Sequence, residues 1–290
     1  MNSGITVRRS CHIMTVSSSL LYYTPAPDRN LELLQRLCEV ARPGAGYRQA
    51  RAALLPEFGA LNHKRVHRLW KEAKLARKKG MRRKRSGATV PCVATAANEV
   101  WCLDFCYDSC LNGTKLKVLA VKDEYTRECL AIEAATSIPS EAVCNILNRI
   151  VFQRGAPQYL RSDNGPEFTA LKLKEWLTEA GSEARLIKPG SPWQNGHAES
   201  FMSRLRAECL DAEVFCNLAD ARLKLGIFRR FYNEQRPHSA LGDITPASYA
   251  QQLRHRTEMS RIEEGAKACG SLMTAESNMP LVTTAHNMQN

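Results

Sequence analysis

The spacing of apolar residues divides the chain into a helical front part and a longer part that mixes strands with helices. Near the amino terminus, apolar side chains recur every three or four residues, which indicates amphipathic helices. One helix carries Leu31, Leu34, Leu37, Cys38 and Ala41 on one face and ends at Arg42-Pro43-Gly44. A second is predicted over residues 47–55, and a third begins at Asn62, a residue type that suits an N-cap. Three short helices separated at Gly44 and Gly59 fit a helix-turn-helix-like module.

From residue 99 onward, the pattern changes to short apolar runs separated by turns. Strands are predicted over residues 100–107, 116–122 and 128–134, and Asn112-Gly113 is a hairpin signal between the first two. The predicted elements that follow are a helix at 140–153, a strand at 158–161, a helix at 169–180, a strand at 183–187 and a helix that carries Glu199. Three antiparallel strands continued by parallel strands, with helices on the faces, make a mixed α/β domain.

Three carboxylates stand at notable places in this second part. Asp104 lies in the first predicted strand among apolar residues, where an unpaired charge is costly to bury. Asp163 ends the fourth strand at an Asn-Gly-Pro turn, and Glu199 lies at the start of a helix, with 35 residues between the two acids. Each of the last two has an ordinary structural explanation, because Asp-Asn-Gly is common turn chemistry and the helix dipole favours an acid in the first turn. The three acids together therefore carry more weight than any one of them.

If the three acids converge, they require cations. Two like charges about 4 Å apart repel by roughly 4 kcal/mol at an effective dielectric constant of about 20. Oxygen ligands favour Mg²⁺ or Mn²⁺ over zinc, and two such ions can assist a phosphoryl displacement. Arg206 shares a helix face with Glu199, so it is either a surface residue or a contact to a phosphate beside the metals.

The basic residues of the chain are concentrated at its front. Residues 1–100 contain 19 Lys and Arg against 6 Asp and Glu, whereas the remaining residues contain 22 against 23. The third helix carries Lys64, Arg65 and Arg68, and seven of the nine residues from 77 to 85 are basic, including Arg82, Arg83, Lys84 and Arg85. A solvated helical bundle explains one basic helix, but a basic run without acids repels itself unless it meets an anion. We therefore predict that the front part contacts a phosphate backbone.

Cysteine usage and hydropathy indicate the compartment. The chain has eleven cysteines, which is an odd number, and no CxxC pair. An apolar run near the amino terminus is interrupted by His12, Thr15 and serines, so we do not interpret it as an export signal. No apolar run approaches the roughly 20 residues that span a bilayer. These features predict a cytoplasmic protein with reduced thiols.

Several segments together resemble the DDE transposases of bacterial insertion sequences, specifically the second-reading-frame product of the family called "IS three". The matching segments are GYRQARAAL, NHKRVHRLWKEAKL, WCLDFCYDS, KDEYTRECLAIE, LRSDNGPEF, SPWQNGHAESF and YNEQRPHSALGDITPASY. They cover roughly residues 30–250, and their order, the 35-residue gap and the basic residue seven positions after Glu199 make the match specific.

The resemblance implies a fold, a chemistry and a set of partners. The fold is a ribonuclease H-like mixed sheet flanked by helices and preceded by a small all-α helix-turn-helix-like domain. Asp104, Asp163 and Glu199 are then metal-binding catalytic acids for Mg²⁺ or Mn²⁺, with two ions expected, while Arg206, Asn164 and Asn195 contact DNA. The implied partners are double-stranded DNA, further copies of the chain, and an upstream-frame protein that is often joined to it by frameshift fusion.

Five segments follow from the pattern and the resemblance. They are a partly helical segment 1–29, a basic DNA-binding domain 30–79, a basic linker 80–98, a catalytic core 99–251 with a helical extension, and a disordered tail 252–290. DNA strand cleavage and transfer is the leading functional hypothesis. The alternatives are an inactive relative that only occupies element ends, as a repressor or assembly partner, and a nuclease of the same fold that cuts without joining.

Overall fold

The computed structural model describes residues 4, 6–24, 28, 30–76, 94–187 and 195–276, with side chains as far as residue 262. Two short helices, α1 (Val7–Ile13) and α2 (Ser18–Leu21), lie at the front. In the described part, no helix is long and apolar enough to cross a membrane.

The next three helices form a small bundle with a core of its own. They are α3 (Leu31–Val40), α4 (Tyr47–Phe58) and α5 (His63–Glu72). Asn62 caps α5 as predicted, because its Oδ1 accepts a hydrogen bond from the Lys64 N–H at 2.9 Å. Helix α4 continues through Pro56, where the sequence predicted an end, and stops at Gly59, whose φ of 66° ends the helix in the left-handed region.

The second part is a five-stranded sheet in the order β3-β2-β1-β4-β5. The strands are β1 (Val100–Ser109), β2 (Lys115–Asp123), β3 (Cys129–Ala135), β4 (Tyr159–Ser162) and β5 (Glu183–Leu186). Strands β1, β2 and β3 form an antiparallel meander, and β4 and β5 continue the sheet in parallel to β1. Both features confirm the order predicted from the sequence.

Helices cover both faces of this sheet. They are α6 (Ser140–Arg154), α7 (Pro166–Thr169), α8 (Leu171–Glu179), α9 (Gly196–Leu205) and α10 (Leu218–Glu234). Because side chains alternate along a strand, the central strands supply two cores. Leu103 and Leu119 pack with α6 and α8, whereas Val118 and Ala120 pack with α9 and α10. The single helix predicted at 169–180 is divided in two, because Ala170 is extended between α7 and α8.

The two ends of the sheet domain differ from the prediction. Residues 94–98, expected to end the linker, pack on the sheet: the Asn98 N–H donates to Asp123 Oδ2 at 2.8 Å and Asn98 Nδ2 donates to the Arg154 carbonyl at 2.8 Å. The tail was predicted to be disordered from residue 252, but it is helical as far as residue 276, as part of α11 (Pro246–Glu276). Its residues are mostly good helix formers without apolar periodicity, so the hydrophobic pattern gave no sign of this helix. Residues 277–290 lie outside the described part.

The bundle packs against the carboxyl-terminal side of the sheet domain. The Arg42 guanidinium lies 3.9 Å from the centre of the Phe231 ring. Gly44, with φ of 76°, lies so close to the turn after α9 that a Cβ there would be 2.5 Å from the Ala207 carbonyl oxygen. Only glycine fits this contact.

A buried ion pair continues this junction. Arg236 is 2% exposed, and its Nε and Nη2 donate to the two carboxylate oxygens of Glu208 at 2.8 and 2.7 Å. With its amide oriented to satisfy hydrogen bonding, Gln49 Oε1 in α4 accepts from Arg236 Nε at 3.0 Å. The pair therefore connects the bundle, the segment after α9 and the segment after α10.

We expect Arg236→Ala to destabilise the protein by about 3–5 kcal/mol, because it leaves the Glu208 carboxylate buried without its charge partner. Replacing both residues, Arg236→Leu with Glu208→Leu, leaves no isolated charge and should recover most of the lost stability. Denaturant unfolding measures both effects. Lys172→Ala is the control, since Lys172 and Glu141 form an exposed pair at 3.0 Å whose loss costs at most about 1 kcal/mol. Equal losses for Arg236→Ala and Lys172→Ala would contradict the role of the buried pair.

Candidate active site

The sheet register brings two of the three predicted acids to neighbouring positions. In the parallel ladder, Val100 pairs with Tyr159 and Cys102 with Arg161. Asp104 in β1 and Asp163, just after β4, each lie two residues beyond the last pair of this ladder, and neighbouring strands are about 4.8 Å apart. Asp163 directly follows the last residue of β4, so its side chain stands at the carboxyl end of that strand.

The loop that carries Asp163 is held by its own polar side chains. Asp163 Oδ1 accepts from the Gly165 N–H at 3.1 Å, which makes the turn that the Asp-Asn-Gly sequence predicts. Asn164 Nδ2 donates to the Ile187 carbonyl at 2.8 Å and so joins this turn to the end of β5. Asn164 is exposed, and the DNA contact predicted for it stays a prediction.

The third acid comes from a helix that packs on the same strand as Asp104. Glu199 lies in the first turn of α9, and α9 packs on β1. Asn195 directly precedes α9. It is 3% exposed, and its Nδ2 donates to the Leu103 carbonyl at 3.4 Å. This burial favours a positioning role for Asn195 over the DNA contact predicted from the sequence. Within the described residues, its Oδ1 accepts no hydrogen bond.

The acids affect one another electrostatically. Burial, together with the negative charges of Asp163 and Glu199, raises the pKa of Asp104 to about 6, while the hydrogen bond from the Phe105 N–H opposes the shift. The charges of Asp163 and Glu199 thus reach Asp104. A carboxylate whose charge is opposed by two others is a group that a cation would stabilise.

The donor chemistry of these acids fits a hard divalent cation. Carboxylate oxygens are the ligands that Mg²⁺ prefers, and here they come from the middle of one strand, the end of another and a helix, with no thiolate or imidazole among them. In the described part of the chain, no group of three or more His, Cys, Asp or Glu side chains is arranged to hold a metal. Asp104 and Asp163 each accept a backbone N–H instead, from Phe105 and Gly165 respectively.

Arg206 lies at the rim of this site. It begins a five-residue π-helical turn, Arg206–Leu210, that continues directly from α9, and such turns are frequent at functional sites. Arg206 Nη2 donates to the Tyr107 carbonyl at 2.9 Å, so the exposed guanidinium lies three residues beyond Asp104 along β1. Two or more of its N–H donors are left to reach a phosphate.

Two contacts near the site were missed at the sequence level. Lys117 of β2 forms an ion pair with Glu167 of α7, with the ammonium 4.1 Å from the centre of the Phe105 ring. This pair anchors the helix that follows the Asp163 turn. The available signal was Lys117 itself, a charge directly before the apolar run at residues 118–121.

The guanidinium group of Arg127 contacts His197 at the start of α9. Burial, together with the positive charge of the neighbouring Arg127, lowers the pKa of His197 to about 4. His197 is therefore neutral at physiological pH, and its ring nitrogen accepts a hydrogen bond from Arg127 Nη1. Because Arg127 lies in the turn between β2 and β3, this contact fixes the beginning of the helix that carries Glu199.

The basic residues predicted to bind DNA are only partly described. Lys64 and Arg68 are exposed on α5, whereas Arg65 is half-buried and donates to Asn30 Oδ1 at 2.8 Å. Arg82, Arg83, Lys84 and Arg85 lie outside the described residues. Exposed cations on one helix leave a surface open to a polyanion.

Family comparisons agree with this division of the chain. Two descriptions named "Integrase core domain" match residues 94–192 and 180–246, and one named "HTH-like domain" matches residues 25–85. They confirm the predicted fold class of a mixed integrase-type sheet domain preceded by helix-turn-helix-like helices. The catalytic core domain of BIV integrase is similar to 56% of this chain and 99% of that chain, at 19% identity and a TM-score of 0.42.

Curated relatives span most of the chain. The insertion element IS407 uncharacterized 31.7 kDa protein of Burkholderia multivorans is 40% identical over 87% of this chain and 92% of that protein. The insertion element IS476 uncharacterized 39.2 kDa protein of Xanthomonas euvesicatoria is 37% identical over 87% of this chain and 75% of that protein. Transposase InsD for insertion element IS2A/D/F/H/I/K of Escherichia coli is 29% identical over 72% of this chain and 74% of that protein.

We expect Asp104→Asn to stabilise the fold at neutral pH by on the order of 2 kcal/mol. Because the folded pKa of Asp104 lies above its ordinary value, the folded state holds a proton between pH ~4 and pH ~6 that the unfolded chain has lost. Wild-type stability therefore falls as the pH rises through this window, and the variant avoids that fall. Denaturant unfolding at several pH values measures the difference.

Asp108→Asn is the matched control for this prediction. Asp108 lies on the same strand, and its Oδ1 accepts the next N–H at 2.8 Å, as the Oδ1 of Asp104 does. We expect little pH-dependent gain from it. A gain from Asp104→Asn that persists below pH ~4, or an equal gain from Asp108→Asn, would show that ionisation of the buried Asp104 carboxyl is not the cause.

Proposed function

Since this chain belongs to the family of insertion-element transposases that contain an integrase core domain, we propose that it cuts and joins DNA at the ends of an insertion sequence. The proposed reactions are hydrolysis and transesterification of phosphodiester bonds. One observation carries the assignment of the site: the charges of Asp163, just after β4, and Glu199, in α9, add to burial in raising the pKa of Asp104 on the adjacent strand β1. The chemistry is therefore proposed for these three acids.

Asp104, Asp163 and Glu199 would hold Mg²⁺ or Mn²⁺, with two ions expected from the family resemblance. When bound, such ions supply activation of the attacking oxygen and stabilisation of the leaving oxygen. The residues of the chain hold the carboxylates in place and leave their outer side open to DNA. In each step, a water or a 3′-hydroxyl oxygen bonds to phosphorus, and the bond from phosphorus to the leaving 3′-oxygen breaks.

The remaining parts of the molecule supply DNA to this site. Lys64 and Arg68 on α5 present positive charge, and residues 77–85 add seven basic residues between the bundle and the sheet domain. Arg206, at the rim, is proposed to contact a phosphate near the acids. We further propose that both element ends and target are double-stranded DNA, that several copies of the chain assemble on it, and that an upstream-frame protein or fusion takes part.

We expect Asp104→Asn, Asp163→Asn and Glu199→Gln each to lower the rate of nicking and joining by about a hundredfold or more. Metal-assisted catalysis contributes several kcal/mol, and about 1.4 kcal/mol corresponds to a factor of ten. The substrate is DNA carrying the inverted repeats that flank the gene, assayed with Mg²⁺ and with a chelator. Asp108→Asn serves as the control on the same strand. Full activity in any of the three variants, or with the chelator, would contradict the assignment, and cutting without joining would favour a nuclease.

Arg206→Gln is expected to weaken the use of DNA by roughly tenfold to a hundredfold, because a hydrogen bond to a charged group contributes about 1.5–3 kcal/mol. The loss should appear mainly in KM, and Arg206→Lys should recover part of it by keeping the charge. Steady-state cleavage measures both constants. Arg256→Gln on α11, where the arginine is also exposed, is the control for the change in net charge. An unchanged KM for Arg206→Gln would show that Arg206 does not contact DNA and is an ordinary surface residue.

A further inference from the structure

A groove rich in arginine lies on the outer edge of the sheet, away from the acids. Its walls are α6 and α10, and its floor is β3, the edge strand next to β2. The groove has a volume of about 560 Å³. Four arginines line it: Arg149, Arg222, Arg229 and Arg230. We refer to it as the arginine groove.

Two of these arginines also cover the open edge of β3. Arg222 Nε donates to the Ala134 carbonyl at 2.8 Å, and Arg229 Nη1 donates to the Leu130 carbonyl at 2.6 Å. These bonds protect an edge that would otherwise pair with another strand. They also hold the guanidinium groups in fixed positions, while each arginine has five N–H donors and uses one here.

The positive charge of the groove is largely uncompensated. The acceptors of Arg222 and Arg229 are neutral carbonyl groups, which satisfy a hydrogen bond without cancelling a charge. Glu133 is the one acid among the described residues that line the groove, and it pairs with Arg149 at 2.7 Å. Three guanidinium charges therefore face a wide, exposed surface, an arrangement that attracts a polyanion and repels a second copy of the same surface.

The spacing of these charges suits a nucleic-acid backbone. Arg222 and Arg229 are seven residues apart on α10, a rise of about 10 Å along the helix. One DNA strand carries a phosphate about every 3.4 Å along the axis, so this distance spans about three phosphates. Because β3 is two strands away from β1, or about 10 Å, a backbone in the groove leaves the three acids accessible.

We propose that the arginine groove binds the phosphate backbone of double-stranded DNA, independently of sequence and separately from the catalytic acids. This proposal rests on the proposed function only in taking DNA as the partner. The groove would hold a stretch of duplex other than the phosphate being cut. The contacts are charge-assisted bonds to phosphate, so they carry position without base preference.

The test measures how the full chain binds a short duplex of arbitrary sequence as salt is raised, using fluorescence anisotropy. Each phosphate contact adds about 0.9 to the slope of log K against log salt. We expect Arg229→Gln with Arg230→Gln to lower that slope by about 2 and to weaken binding at least about tenfold near physiological salt. The matched control is Arg254→Gln with Arg256→Gln, which makes the same charge change on exposed α11 residues and should leave the slope unchanged.

A second variant and two further measurements make the outcome decisive. Arg230→Gln alone keeps the bond from Arg229 to β3 and should lower the slope by about 1, with an unchanged unfolding midpoint. An unchanged slope in both groove variants, or an equal loss in the α11 control, would overturn the proposal. A change in molecular mass in solution with the groove variants would assign the groove to contacts between copies and would also overturn it. Loss of cleavage in Asp104→Asn tests the proposed function separately, because that variant keeps the groove intact.

Discussion

The parallel pairing of β1 with β4 is the constraint on which the active site depends. The ladder ends at the pair Cys102 and Arg161, and each acid lies two residues beyond that pair on its own strand, although 58 residues lie between Asp104 and Asp163. Side chains alternate across a sheet, so a slip of one residue would turn one of the acids into the apolar layer beneath α6. The extensive packing of Leu103 and Leu119 on that layer therefore fixes the position of the carboxylates as well as the stability of the sheet.

The segment after residue 195 contains three residues with different roles. Glu199 faces the strand ends, Arg206 begins the π-helical turn at the rim, and Glu208 is buried within that turn against Arg236. Because Arg236 is buried in this ion pair, its role is structural. Gln49 of the front bundle also contacts this ion pair. The bundle that carries the basic helix α5 therefore contacts the segment directly after the helix with Glu199.

Hydrophobic periodicity was sufficient to predict the five strands, their order and the main helices, because apolar runs of four to ten residues decide local structure. Asp163 and Glu199 were recognisable through their positions at element ends, Asp104 as a charge within an apolar strand, and all three through family motifs. Long-range polar contacts were not, since nothing near Glu208 or Lys117 in the chain indicates Arg236 or Glu167 as a partner. Helix α11 escaped notice for another reason: its residues favour a helix by propensity, and they lack the apolar stripe by which helices are recognised.

The contact at Gly44 has a consequence for the geometry of the DNA. With no room for even one methyl group against Ala207, the bundle cannot slide along the sheet domain without losing the junction. The distance from the basic helix to the three acids is then a fixed length of the folded protein. In the proposed reaction, that length sets how many base pairs separate the DNA bound by the bundle from the phosphate that is cut. DNA in which this spacing is shorter or longer by a few base pairs would then place the wrong phosphodiester bond at the acids.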